Sequence, residues 1–277
     1  MMRDPYLYPD SDVLRNLAGI QDSEELKNME ADYTLFRLSE IAEDKSPEQF
    51  DFCTLCGLHY RIFQDVYEWA GKPRKINIEK AEAVLGEISI VYSDCFDIAE
   101  DTERILRSAN CFDWKQDSFE KVVIRFSDFM ADLWKVHPFR EGNTRTVVTF
   151  CSMFIEAQGI YIESELFKDN ATYMRNALVA ANAVFDDLGD LRKPGYLYRI
   201  VQDALERGQK MKEQVAETIR KSGLSDTEER IKEVILWNRK EKREHLPEEI
   251  REMAKTYPAR LGEIDSVELL EKSSESR

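Results

Sequence analysis

The chain has 277 residues, 43% of them hydrophobic and 34% charged, with a formal charge of −15 at pH 7. That length and apolar content support a substantial buried core, and the acidic balance argues against nucleic acid as the main partner, because phosphate backbones need clustered Lys and Arg. No apolar run approaches a membrane span, and Met1-Met2-Arg3-Asp4-Pro5-Tyr6 lacks the charged-then-apolar design of a secretion signal, so a cytoplasmic location is expected. The five cysteines are odd in number, and Cys53-Thr54-Leu55-Cys56 has no second pair with which to hold zinc. They read as core thiols of a reducing compartment.

In chain order, residues 6–20 read as an irregular lead-in. A helix follows over Ser23–Ile41, with Ser23 as its N-cap and Leu26, Met29, Tyr33, Phe36 and Ile41 on one stripe. A second helix is expected from Pro47, carrying Phe50, Leu55, Leu58, Ile62, Phe63, Val66, Tyr67 and Trp69, with His59 on its apolar side as a core imidazole. Gly71-Lys72-Pro73 ends it. Residues 74–80 alternate at period two and predict the one convincing strand, with 88–92 as a return arm. Such a ribbon exposes an edge that either lies covered by its own side chains or accepts an extended target segment. Helices are expected over 94–109, over two central stripes (Phe119 to Trp134 and Val147 to Ile155), over 170–185 and over 196–205. Residues 161–167 read as irregular and 187–194 as a turn-rich break. From Gln209 the composition shifts, since almost all of the acidic excess lies before it. Val215, Ile219 and Leu224 mark one helix, and the capping box Ser225-Asp226-Thr227-Glu228 opens another. Pro247 starts a third, residues 271–277 are expected to be disordered, and the mixed charges of 239–243 read as a solvated helix face.

Between the central stripes lies His137-Pro138-Phe139-Arg140-Glu141-Gly142-Asn143-Thr144-Arg145. Pro138 cannot continue a helix and pushes His137 out of helical conformation. Phe139 anchors the loop to the core, and Gly142 permits a tight turn. The backbone N–H groups opening the second helix form an anion site with the helix dipole, and Arg145 adds a fork of donors suited to phosphate. Glu141 supplies the hard oxygen that magnesium prefers. His137 could take a proton from an attacking hydroxyl near neutral pH. Singly, a His beside Pro is more often a cap or core residue, and Glu-Gly-Asn more often a polar turn. Base, metal ligand and anion cradle within nine residues describe phosphoryl or nucleotidyl transfer.

The same residues carry a resemblance. His-Pro-Phe-x-(Asp/Glu)-Gly-Asn-Gly-Arg-x-x-Arg is the signature of the Fic family, and His137, Pro138, Phe139, Glu141, Gly142, Asn143 and Arg145 match it in register. The resemblance covers roughly residues 6 to 207. It implies a mainly α fold, a Fic-type helical bundle with a small β-hairpin flap, plus a helical C-terminal extension. The domains would be a Fic-like domain at 1–208, with the flap at about 72–92 and the motif loop at 137–145, and a charged extension at 209–277. The implied activity is transfer of AMP from ATP to a Ser, Thr or Tyr hydroxyl of a target protein, assisted by Mg2+. In that reading His137 is the catalytic base and Glu141 holds the metal. Gly142, Asn143, Thr144 and Arg145 bind the nucleotide, while Pro138 and Phe139 are structural. Lys75, Ile76, Asn77 and Ile78 of the flap, entered through Trp69-Ala70-Gly71, dock the target.

Two positions depart from the signature. Thr144 stands where the family has Gly, and Val148 where it has a second Arg. Loss of one charge-assisted phosphate contact is worth about 1.5–3 kcal/mol. Two alternatives therefore stay open: Doc-like phosphotransfer on the same scaffold, since the Doc branch also lacks that Gly, and a catalytically impaired peptide- or nucleotide-binding module. Retention of both His137 and Glu141 speaks against the latter. Many Fic proteins are silenced by a helix bearing (Ser/Thr)-x-x-x-Glu-(Gly/Asn). The near matches here, Ser39 with Glu43 and Ser225 with Glu229, continue into Asp44 and Arg230, and Val148 removes the Arg they would neutralise. Intramolecular inhibition of that type is not expected, which leaves room for a separate antitoxin-type inhibitor. The partners expected are ATP and a target protein, without membrane or nucleic acid. The location expected is the cytoplasm, or a host cell if the chain is a translocated bacterial effector.

Overall fold

The structure is a computed structural model and describes residues 4–44 and 46–244. Its helices are α1 (Ser23–Ile41), α2 (Phe52–Phe63), α3 (Ile98–Asn110), α4 (Phe119–Val136), α5 (Asn143–Ala157), α6 (Glu165–Asp169), α7 (Ala171–Ala181), α8 (Gly195–Lys221) and α9 (Glu228–Glu244). A two-stranded antiparallel hairpin, β1 (Val184–Phe185) with β2 (Gly189–Asp190), lies between α7 and α8. The mainly helical class is as expected. The helix expected from Pro247 and the disordered end at 271–277 lie outside the described residues.

Most boundaries shift for identifiable reasons. The α1 cap is Asp22, whose Oδ1 accepts from Glu25 N–H at 2.8 Å, so Ser23 is the first helical residue. The helix expected from Pro47 starts only at Phe52, because Phe50 is drawn edge-on against Phe150 and Phe154, at 5.4 and 5.3 Å, and holds 47–51 irregular. The helix expected over 170–185 stops at Ala181. There Asn182 turns its amide back to Leu178 O and across to Ala131 O, both at 3.0 Å, and the chain enters the β1–β2 hairpin. The helix expected over 196–205 is the first third of α8, which continues to Lys221. The helix expected to open at the capping box Ser225-Asp226-Thr227-Glu228 is α9, which begins at Glu228. Thr227 Oγ1 accepts from Arg230 N–H at its start, at 3.4 Å.

The largest correction concerns residues 72–92. Residues 74–80 form no strand and bend at Lys75 and Ile76, and the pairing in this stretch is a single bridge between Glu82 and Ile88 around the 3-10 turn Ala83–Leu85. Their backbone groups are claimed elsewhere. Arg74 N–H donates to Pro138 O at 2.8 Å, and Lys80 N–H donates to Ser89 Oγ, a side chain, at 3.0 Å. A ladder cannot form where its donors are already used. Burial still alternates along 75–80, so the period-two pattern reports a half-covered ribbon without a paired strand.

The chain divides into two compact units. One comprises Met1–Lys45, Cys53–Lys72 and Asp226–Arg277. Here α1 packs against α9, Arg37 holds Asp65 through two hydrogen bonds of 2.7 and 2.9 Å, and Tyr67 stacks on Trp69 at 4.3 Å. His59 accepts the Gly71 N–H on Nδ1 at 2.8 Å and lies against Phe63, a satisfied core imidazole as expected. The other unit comprises Ser46–Phe52 and Pro73–Ser225. Its axis is α4, which touches α3, α5, α7 and α8. Ser118 caps α4 on Lys121 N–H at 3.4 Å. Phe126, Met130, Leu133 and Trp134 are fully buried along its length, and Phe150, Phe154 and Cys151 of α5 are buried likewise. Among the described residues no helix is long and apolar enough to cross a membrane. Among the described residues no disulfide joins the five cysteines, of which Cys56 and Cys151 are buried and Cys111 is exposed.

Candidate active site

The motif loop joins α4 to α5 inside the second unit. Its first residue, His137, closes α4 in the left-handed region (φ 50, ψ 58), with its N–H on Trp134 O at 3.1 Å. Pro138 excludes the right-handed helical region for the residue before it; the expected extended conformation is replaced by this C-cap. A left-handed non-glycine residue costs roughly 1–2 kcal/mol, so something must hold it there. Arg74 does. Its buried guanidinium donates to His137 O at 2.9 Å, to Ile76 O at 2.8 Å and to Ser93 O, and its N–H holds Pro138 O. A cation over the last carbonyls of α4 also meets the negative end of the helix dipole.

Phe139 is fully buried and anchors the loop, as its apolar character suggested. Asn143 grips the same residue from the far side: Oδ1 accepts Phe139 N–H at 2.9 Å and Nδ2 donates to Phe139 O at 2.7 Å. The side chain of Asn143 is therefore spent on shaping the loop, and what it can offer a ligand is backbone N–H. Gly142 adopts φ 80 and ψ 7, a conformation that side chains resist, and starts α5. The first turn of α5 then presents the N–H groups that lack an intrahelical acceptor. Thr144 Oγ1 accepts the Trp134 indole N–H at 3.0 Å, which ties the first turn of α5 to the last turn of α4.

Around His137 the walls are aromatic. Tyr92 stacks on the imidazole at 4.0 Å and Trp134 meets it edge-on at 5.1 Å. His137 is 1% exposed. Nδ1 lies 3.3 Å from Trp134 O, so Nδ1 carries the proton and Nε2 is the acceptor. Nε2 is buried and meets no hydrogen-bond partner among the described residues. Burial, and then the Lys80 ammonium, push the imidazole well below its usual range, so the ring is neutral. A neutral, unpartnered, correctly tautomerised imidazole is what proton abstraction needs.

Glu141 accepts Gly142 N–H on Oε1 at 3.0 Å and Lys80 Nζ on Oε2 at 2.9 Å. Burial opposes its ionisation, but Lys80, the Gly142 N–H and Arg145 outweigh it and hold the carboxyl at about 2. It is an ionised hard oxygen donor at the mouth of the loop. Among the described residues no cluster of three or more His, Cys, Asp or Glu could cage a metal. A magnesium ion here would take one protein carboxylate and draw its other ligands from phosphates and water, a common arrangement for that ion.

Of the expected docking residues, Lys75 and Asn77 are exposed and Ile76 and Ile78 half-buried. Asn77 holds the 94–95 turn, accepting Cys95 N–H at 2.8 Å and donating to Asp94 Oδ2 at 2.8 Å. Reading the sequence alone overlooked Tyr92, Trp134 and Arg175 as parts of the site, and treated Arg74 and Lys80 only as ribbon residues. Arg175 of α7 pairs with the buried carboxylate of Glu82 at 2.7 Å, and Glu82 in turn accepts the Tyr92 hydroxyl at 3.3 Å. Of these, Trp134 alone had a local signal, lying one helical turn before His137.

The profile of the Fic/DOC family matches residues 49–155, which include the whole motif loop and the 72–92 ribbon. The chain is similar to the protein adenylyltransferase VbhT of Bartonella schoenbuchensis, at 31% identity over 160 residues, 58% of this chain but only 32% of that relative. It is also similar to the probable protein adenylyltransferase y4lH of Sinorhizobium fredii, at 34% identity over 164 residues, 58% of this chain and 80% of that one. The fold resembles that of BepC, a VirB-translocated effector of Bartonella tribocorum crystallised with AMPPNP, with a TM-score of 0.61 at 19% identity, covering 73% of this chain and 97% of that one. With a relative of this identity matched over four-fifths of its length, and the family profile spanning the loop and ribbon just described, the chain belongs to the Fic/DOC family.

Proposed function

We propose that this chain transfers AMP from ATP to a hydroxyl side chain of a target protein, with His137 as general base. The observation that carries the reading is the state of His137: neutral, with Nδ1 committed to Trp134 O and Nε2 without a partner. Nε2 takes the proton of a target Ser, Thr or Tyr. The hydroxyl oxygen then bonds to the α-phosphorus, the bond from that phosphorus to the bridging oxygen breaks, and pyrophosphate leaves. The Trp134 carbonyl holds the ring and offsets the positive charge that it gains.

The first-turn N–H groups of α5, from Asn143 and Thr144 onward, together with the Arg145 guanidinium, take the phosphates, and Gly142 supplies the turn that aims them. Glu141 is the residue that would hold Mg2+, which when bound neutralises phosphate charge and polarises the reacting phosphoryl group. The names of the curated relatives support adenylyl transfer, and the AMPPNP held by BepC supports ATP as co-substrate. Lys75, Ile76, Asn77 and Ile78, alternately exposed and half-buried, are the segment on which an extended target chain would lie. His137 is 1% exposed, so the walls around Nε2 open when a target hydroxyl reaches it.

We assign the chemistry to residues 1–208 and leave 209–277 as an extension that contacts the body or a partner. Composition alone marks that boundary, because α8 runs through it unbroken. The site of action is the cytoplasm of the producing cell or, as for the translocated effectors among the structural neighbours, of a recipient cell. A separate antitoxin-type inhibitor fits a chain whose Val148 cannot receive an internal inhibitory Glu.

Val148 in place of a cation favours one second reading, phosphotransfer, in which the same His137-activated oxygen attacks the γ-phosphorus. Intact-protein mass spectrometry after incubation with ATP and Mg2+, alone and with a lysate as target source, separates the two. A mass gain of one adenylyl group that is absent in His137→Ala is the expected result. A gain of one phosphate would move the assignment to phosphotransfer, and no His137-dependent gain on any protein would overturn both.

A further inference from the structure

Lys80 stands out among the groups that the motif does not contain. Its Nζ lies 2.9 Å from Glu141 Oε2, with the Lys80 side chain 16% exposed. The segment that carries it is held at three points: Lys80 N–H on Ser89 Oγ at 3.0 Å, the Glu82–Ile88 bridge, and Glu82 on Arg175 at 2.7 Å. The ammonium is therefore delivered to the motif loop by a braced ribbon and is not a wandering surface lysine. Arg145 acts on the same Glu141 carboxylate from α5. One carboxylate thus has a cation from the ribbon and a cation from α5, beside a helix N-terminus that itself favours anions.

Resting on the nucleotide reading above, we infer that Lys80 is a phosphate-binding residue of this site, the second cation of the triphosphate cradle. A polyphosphate brings more negative charge than Arg145 and the α5 amides can balance, and α5 offers Val148, not a cation, one turn beyond Arg145. The Lys80–Glu141 pair supplies the missing charge. In the resting site each group is the other's counter-ion. Glu141 would hold a divalent cation brought in with the nucleotide, which would free the Lys80 ammonium to meet a phosphate oxygen. Lysine suits this exchange, because a flexible point charge can pass from carboxylate to phosphate without a fixed fork geometry.

Calorimetric titration of the full-length chain with ATP and with adenosine, in the presence of Mg2+, tests the assignment on wild type, Lys80→Met and Lys80→Arg. Lys80→Met is expected to weaken ATP by about tenfold or more, the worth of one charge-assisted contact. It should leave adenosine within about twofold, and Lys80→Arg should recover most of the loss on the same grounds. Unchanged or tighter ATP binding in Lys80→Met would make Lys80 only a blocker of Glu141 and overturn the inference. So would equal loss in both variants, or a matching loss of adenosine, since either would reflect ribbon structure and not charge. A wild type that binds neither ligand would overturn the adenylyl-transfer reading itself.

Discussion

Thr144 shows how one residue can decide the character of a site. The branched side chain that replaces the family's Gly is not idle bulk, because its hydroxyl accepts the indole N–H of Trp134, a side chain with no exposure. Trp134 forms one wall of the His137 pocket, and its carbonyl receives His137 Nδ1. Removing the hydroxyl while keeping the shape would strand a buried donor, at about 1–3 kcal/mol. Thr144→Val is therefore expected to lose that much unfolding free energy, seen as a lower urea midpoint, and Thr144→Ser to stay near wild type. Equal midpoints for Thr144→Val and wild type in equilibrium denaturation would show that the bond is not formed. The sequence marked position 144 as a departure; it carried no indication that Trp134, ten residues earlier, is the partner.

At the level of elements, the central pair was legible and the ribbon was not. Both α4 and α5 have unbroken apolar stripes, and a helix that buries its whole length leaves little room for another reading. The ribbon at 72–92 showed period-two alternation, but alternation reports only that one face is covered. Pairing depends on where the donors go, and Arg74 and Lys80 send theirs to Pro138 O and Ser89 Oγ. The length of α8 was missed in the same way. Its charged C-terminal half reads as a new segment by composition, yet the backbone continues through Gly208, which has no side chain because the carbonyl of Tyr161 lies there. A Cβ at 208 would come within 2.2 Å of Tyr161 O. Since helix and loop backbones must both shift, Gly208→Ala should cost about 3 kcal/mol or more, despite alanine's better helix propensity. Thermal melting checks this, and a variant as stable as wild type would show that the α8–Tyr161 approach is looser than drawn.

For the molecule as a whole, the site leaves a mark on stability against pH. The folded His137 lies below its ordinary value of 6.5, through burial first and then Lys80, so below 6.5 the unfolded chain binds this proton more readily than the folded one. Its contribution is complete above pH 6.5 and is lost as pH falls towards the depressed folded value, with a slope approaching about 1.4 kcal/mol per pH unit. Glu141, held at about 2 against an ordinary 4.5, adds a second loss that begins only below 4.5. Urea denaturation between pH 8 and pH 5, in wild type and in His137→Gln, isolates the first limb. The difference between the two proteins should be constant above about pH 6.5 and shift in favour of the variant below it. A difference that stays flat to pH 5 would mean that His137 is not buried in the native state. The two compact units, and the packing of α9 on α1 within the first of them, had no counterpart in the sequence reading, which placed its boundary at a change of composition.

The sequence by itself determined the helical class, the two central helices, and a loop whose His, Glu, Gly and Arg stand at the spacing of the Fic/DOC signature, because periodicity and local turn rules act over a few residues and survive in one dimension. It also identified His59 and Phe139 as core. Only the tertiary structure decided how the loop residues divide their labour: Asn143 shapes the loop, Thr144 holds Trp134, Arg74 fixes His137 in a left-handed cap, and Lys80 meets Glu141 from 61 positions away. Those contacts join residues distant in the chain through buried hydrogen bonds, whose strength depends on the exclusion of water by the surrounding core. That exclusion exists only once the chain has folded.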